Sequence, residues 1–206
     1  MNVSVETNFV LELALVQEQQ ASCEEILDLS ETGSVALVIP AYSLVEPYDT
    51  LVRRHRQRKE LKADLDAEID QLTRSASYTD RLRGFHDLSA LLVDSADEEA
   101  KRMEELRERQ MRICQVIPLD VACLETATRY QNQHKFSPQD AVVYASVVSH
   151  LSESPSGRSC FLNRNASEFD DPDIVEELRS HDCDLIARFD DGLEHLRHHI
   201  KNDGTS

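Results

Sequence analysis

The chain has 206 residues, 40% of them hydrophobic and 30% charged. That allows a sizeable core, while the absence of Trp and the low Gly content disfavour a turn-rich all-β sandwich. The formal net charge of −17 argues against indiscriminate binding of nucleic acid, because a uniformly acidic surface repels phosphate. Residues 1–17 lack a basic leader and carry Glu6 and Glu12 inside an apolar stretch, so they read as neither a signal peptide nor a membrane span. Cys23, Cys114, Cys123, Cys160 and Cys183 show no C-x-x-C spacing and read as buried, reduced thiols of a cytoplasmic protein.

In chain order, residues 2–5 (NVSV) form a short buried strand. A helix follows over FVLELALVQEQ, with Thr7 or Asn8 as its expected cap. A second amphipathic helix covers residues 21–32, with Cys23, Ile26, Leu27 and Leu29 inward, and ends at Thr32-Gly33. Val35 to Ile39 is a β-branched strand terminated by Pro40. A helix begins near Tyr42 and runs to about Thr73, with Pro47 as a potential kink and an apolar stripe at Leu61, Leu65, Ile69 and Leu72. After a polar break at residues 75–80, helix resumes over about 80–112, with a break expected near Ser95 and a seam at Met103, Leu106 and Met111. These stretches suggest a long helical hairpin inserted at about residues 55–111.

Ile113 to Leu119 is a third strand, and Asp120 caps a helix over 121–134. In FSPQD, Ser137 caps, Pro138 takes the first helical position and Asp140 lies in the first turn. Residues 152–158 form a turn, SCFLN a fourth strand, and RNASEFDDPDI leads into a helix at about 173–180. A last strand or turn near Leu185 precedes a final helix at about 191–200 and a frayed tail. Alternating strands and helices indicate an α/β fold, a parallel sheet flanked by helices. Ligands of such sheets collect outside the carboxyl ends of the strands, which singles out Glu6, Glu46, Asp140 and the residues after Leu162.

A carboxylate at the end of an apolar strand, as at Glu6, needs something to neutralise it. Glu46 and Asp140, taken singly, read equally well as a solvated helix acid and a helix-dipole acid. Together, converging carboxylates suit a hard divalent cation such as Mg²⁺ or Mn²⁺, which can activate water and stabilise charge in a phosphoryl transition state. The run RRHRQRK supplies Arg53, Arg54, Arg56, Arg58 and Lys59 with no acid, and leaves −22 for the rest of the chain. It lies on the helix of Glu46. A rise of ~1.5 Å per residue puts Arg53 roughly 10 Å beyond that acid, a distance suited to holding a phosphate strand; a face paired with acids of the insertion is the alternative. His195 and His199 share a helix face but lack an obvious third ligand and read as a solvated helix end. Tyr42, Tyr48 and Tyr144 read as core or rim residues.

The ordered set Glu6-Thr7-Asn8, Glu46 in IPAYSLVEPY, FSPQDA and NRNASEF resembles the PIN-domain nucleases, including VapC-type toxins. In that family the motifs are a strand followed by D-T-N, a Glu in the helix after the second strand, L-S-x-x-D-A, and T-R-N-x-x-D/E-F. The resemblance covers residues 1–54 and 112–200 and implies one PIN-like domain over 1–206 with the hairpin as an insertion. It implies RNA hydrolysis with Mg²⁺ or Mn²⁺ held by Glu6, Glu46 and Asp140. Glu168 assists, and Asn8, Asn163, Asn165 and Asp171 support the site. Asp170, beside Asp171, competes with Glu168 as the fourth acid. Glu6 replaces the usual Asp and is one methylene longer, and Asn163 stands where Thr or Ser is frequent. These departures keep open a catalytically impaired relative that binds protein or RNA. A toxin with an antitoxin-like protein partner and a homodimer built on the hairpin also remain open.

Overall fold

In the computed structural model, residues 1–82, 85–153, 157–169 and 171–203 are described. Strand β1 (Asn2–Val5) is followed by α1 (Thr7–Ala14) and α2 (Gln20–Glu31), then by β2 (Ala36–Pro40) and α3 (Ala41–Thr73). A 3₁₀ turn, Thr79–Leu82, precedes α4 (Phe85–Ile113), β3 (Gln115–Ile117), α5 (Val121–His134) and α6 (Pro138–Glu153). The chain continues through β4 (Ser159–Leu162), α7 (Ala166–Phe169), α8 (Pro172–Ser180), β5 (Cys183–Ile186) and α9 (Phe189–Asp203). The five strands form one sheet in the order β3-β2-β1-β4-β5, and every pairing is parallel.

Alternation within each strand divides the core in two, because successive side chains leave opposite faces of a sheet. Val3, Val5, Leu37, Ile39, Cys160 and Leu162 face α1, α2, α9 and the base of the α3–α4 hairpin. Phe161 and Cys183 face α5, α6 and α8. Both faces of the central strands are covered, so β1 and β4 are buried almost throughout and carry no charge. On the first face α9 approaches β4 closely at Gly192, where an added Cβ would lie 2.7 Å from a Leu162 methyl. The chain runs outward from β1 to β2 and β3 on one side and to β4 and β5 on the other. The reversal falls at β1, and a crevice opens beyond the carboxyl ends of β1, β2 and β4.

Several local expectations need correction. The first helix starts at Thr7, and its cap is Glu6, whose carboxylate accepts the Asn8 N–H at 2.7 Å, so neither Thr7 nor Asn8 caps it. That helix ends at Ala14, because Val16 takes a left-handed φ of 52° and the Gln17 N–H returns to the Glu12 carbonyl. Helix α3 passes through Pro47 without interruption. Helix α4 passes through Ser95, whose hydroxyl bonds back to the Leu92 carbonyl. Met103 and Leu106 are buried as a seam, but Met111 is exposed; Gln110 takes the inward position. Of the α3 stripe, Ile69 is buried while Leu61 and Leu72 stay exposed on its flank. Helix α7 was not anticipated, and the last helix continues to Asp203, so the tail is helical that far. The turn expected at 152–158 falls partly outside the described residues, since helix α6 reaches Glu153 and description resumes at Gly157.

Candidate active site

The crevice is a cavity of about 280 Å³ lined by Glu6, Thr7, Asn8, Glu46, Asp140, Asn163 and Asn165, with Thr50, Ser137 and Gln139 at its wall. Each acid arrives from a different element. Glu6 terminates β1 and caps α1; Glu46 projects from the second turn of α3; Asp140 sits in the first turn of α6. The Ser137 hydroxyl accepts the Asp140 N–H at 3.1 Å, as the FSPQD pattern requires of a cap, and bonds to the Asp140 carboxylate. A cluster of rings braces the neighbouring segments. Phe136, just before Ser137, and Phe169, just after Glu168, have ring centroids 4.9 Å apart, and both meet the Tyr144 ring edge-on.

Every carboxylate in the crevice is tethered to a donor of its own. Glu6 accepts the Arg164 N–H at 3.3 Å in addition to that of Asn8. Glu46 accepts the Thr7 hydroxyl at 2.5 Å, and Asp140 accepts the Asn165 amide at 3.4 Å. Asn163 is buried, and its side-chain oxygen takes the Asn165 N–H at 2.7 Å, ordering the loop where Thr or Ser was the expected residue.

Among the described residues no Lys, Arg or His lines the cavity, so the acids face one another across it. Burial raises the Glu6 carboxyl from 4.5 to about 7, against the lowering effect of its two backbone N–H donors, and Asp140 adds repulsion. Glu46 is pushed up by desolvation, with Asp140 and Asp49 adding to it. Glu168 is exposed at the rim and is pushed up first by its hydrogen bond with Asp140. Like charges raised in concert mark a place where positive charge is missing.

A family model described as PIN domain matches residues 3–169. The chain belongs to the PIN domain family. Members of the family are generally nucleases and usually bind a divalent metal, and the matched span contains the four acids and the hairpin. No curated protein matches the sequence. No helix among the described residues is long and apolar enough to cross a membrane.

In this PIN domain the donor set fits a hard divalent cation: three carboxylates, amide oxygens and hydroxyls, with neither sulfur nor imidazole. Among the described residues no three His, Cys, Asp or Glu side chains are already arranged to hold an ion, since each acid leans on its own donor.

The other candidate residues are dispersed. Asp171 caps α8 through the Asp173 N–H at 2.9 Å and faces His134, away from the cavity. Asp170, considered beside it as a fourth acid, lies outside the described residues. The basic run divides. Arg56 pairs with Glu60 at 2.9 Å, and Arg58 makes a bidentate pair with Glu99 at 2.9 Å that ties α3 to α4. Arg54 borders a hollow of about 280 Å³ with Gln57, Arg58 and Leu61. Lys59 borders another, of about 450 Å³, with Tyr48, Val52, Ala96 and Ala100. His195 meets Asp184 at 3.8 Å and stacks on His199. Tyr144 is core, while Tyr42 and Tyr48 are half-buried.

Sequence reasoning missed Thr50, which faces the cavity one turn after Glu46, an i, i+4 signal legible once Glu46 was singled out. It also missed Glu12 and Arg164. Glu12 is fully buried and ion-paired to Arg164, yet in the sequence it shows only as an acid inside an apolar stretch.

Proposed function

We propose that this PIN domain is a Mg²⁺- or Mn²⁺-dependent endoribonuclease in which Glu6, Glu46 and Asp140 hold the metal and Glu168 assists from the rim. One observation carries the reading: three carboxylates from three separate elements line one cavity that no basic side chain among the described residues enters. A bound divalent ion would supply Lewis-acid activation of water and neutralise charge on the phosphate. The chain's own part is to present the oxygens and keep them oriented. Thr7 and Asn8 fix Glu46 and Glu6, Ser137 and Asn165 fix Asp140, and Asn163 fixes the loop that carries Asn165.

The substrate strand would leave the cavity along α3. Glu46, Thr50, Arg54 and Gln57 fall on one face of that helix, and Arg53 flanks it. Arg53 and Arg54 have no acidic partner among the described residues, so they are available to phosphate. Arg58 and Arg56 are engaged by acids, and Lys59 lies on the opposite face.

The test is cleavage of a labelled, partly structured RNA with Mn²⁺, Mg²⁺ or EDTA. Metal-dependent cutting is expected from the wild type, and its loss is expected in Asp140→Asn with the circular dichroism spectrum unchanged. An undiminished rate in the variant would overturn the assignment. A second reading, a catalytically impaired module, has one observation in its favour, that each acid is tied to its own donor and, among the described residues, no three are gathered closely enough to hold an ion. It requires that titration calorimetry detect no Mn²⁺ uptake by the wild type.

A further inference from the structure

The loop after β4 has two sides. Toward the cavity, the Arg164 N–H donates to Glu6 at 3.3 Å and the Asn165 amide donates to Asp140 at 3.4 Å. Away from the cavity, the Arg164 guanidinium reaches back across α1. It forms an ion pair with Glu12 and a second with Glu18 at 2.7 Å. Neither Arg164 nor Glu12 lines the cavity.

Glu12 is 0% exposed. A carboxylate so deep requires a cation and hydrogen bonds to be tolerated at all. Its second oxygen accepts the Gln19 N–H at 2.8 Å, and the Gln19 side chain accepts the N–H groups of Phe189 and Asp190 at 2.7 and 3.3 Å. The chain of contacts therefore runs from the start of α9, through Gln19 and Glu12, to Arg164, and from its backbone to Glu6. Other backbone bonds of this loop are sparse: Asn163 N–H to the Ile186 carbonyl, and Glu168 N–H to that of Asn165. The guanidinium therefore restrains residues 163–165 from outside the cavity, beside the buried Asn163 side chain that takes the Asn165 N–H.

We infer that Glu12 and Arg164 are a positioning pair, which fixes the β4–α7 loop from behind so that its N–H groups set the orientation of Glu6 and Asp140. The inference rests on the metal-site reading above. Groups that orient ligands from behind typically govern affinity by 10–100-fold without touching the ion.

The experiment uses the full chain and two variants, Glu12→Gln and the double substitution Glu12→Gln with Arg164→Met. Glu12→Gln keeps an acceptor for the Gln19 N–H while removing the buried charge. The double variant removes both charges together, so no unpaired charge is left inside. Three quantities are read: melting temperature, Mn²⁺ dissociation constant by titration calorimetry, and the separate kcat and KM for RNA cleavage. The double variant should melt within a few degrees of the wild type, bind Mn²⁺ roughly tenfold or more weakly, and lose kcat with KM little changed. A double variant with wild-type Mn²⁺ affinity and kcat would reduce the pair to a fold-stabilising contact and overturn the inference. Should the double variant fail to fold, wild-type Mn²⁺ affinity and kcat in Glu12→Gln would overturn it equally. A wild type that takes up no Mn²⁺ sinks the metal-site reading itself, a different failure that is visible before either variant is compared.

Discussion

Glu6 concentrates the chemistry of the crevice in one side chain. It is 5% exposed, and its carboxyl rises from 4.5 to about 7 because burial penalises the charged form more than two backbone N–H donors help it. The folded protein then holds a proton that the unfolded chain releases between those two values. Stability is therefore lost as pH rises from about 4.5 to about 7. At ~1.36 kcal/mol per pH unit the full effect is about 3 kcal/mol. Without metal, Glu6→Gln should match the wild type at pH 4 and exceed it at pH 8 by up to that amount in urea unfolding. A less stable Gln variant at pH 8 would mean the carboxylate is already compensated. Proton and metal compete for the same oxygens, so Mn²⁺ affinity should fall about tenfold per pH unit below about 7, read by calorimetry across pH 5.5–8.

At the scale of the element, the hairpin separates cations paired with acids from cations that have no acidic partner among the described residues. The bidentate Arg58–Glu99 pair is largely shielded, with side chains 25% and 11% exposed, and it bridges α3 to α4. Removing Arg58 leaves the buried Glu99 charge unpaired, so Arg58→Ala should cost about 2 kcal/mol or more and lower the melting temperature. Arg54→Gln should leave melting unchanged but weaken RNA binding and reduce its salt slope by about 1. Lys59→Gln, on the far face, should change neither melting nor binding. Fluorescence anisotropy with a labelled RNA in EDTA reads the binding, and equal losses from Arg54→Gln and Lys59→Gln would reject a strand path along the Thr50 face. The five-residue basic run is plain in the sequence. Its division is not, because pairing with Glu99 depends on a contact 41 residues away.

For the whole molecule the governing quantity is the charge of −17. Self-repulsion of an acidic surface weakens with screening, and the Debye length shrinks from ~30 Å at 0.01 M to ~8 Å at 0.15 M salt. Adding NaCl over that range should raise the melting temperature while weakening RNA binding, since phosphate contacts release counterions. The two trends have opposite sign and are measured on one preparation. Parallel trends would indicate that the basic face plays no part in binding.

Much of this molecule is determined by local sequence. The strands NVSV, ALVIP and SCFL are short runs of small and apolar residues with no charge, and a parallel sheet covered on both faces demands such runs. Asp120 and Ser137 each cap a helix through the N–H three residues on, so their roles are legible without a fold. The acids at the strand ends were legible for the same reason, since topology alone sends them to one edge. Tertiary structure decided the rest. Glu6 became a cap and a buried acid at once, Gln110 displaced Met111 from the interior, and Glu12 was buried by an arginine 152 residues later. Each outcome depends on a partner brought close only by folding. The cost of burying a charge is set by that partner and leaves no mark on local composition or period.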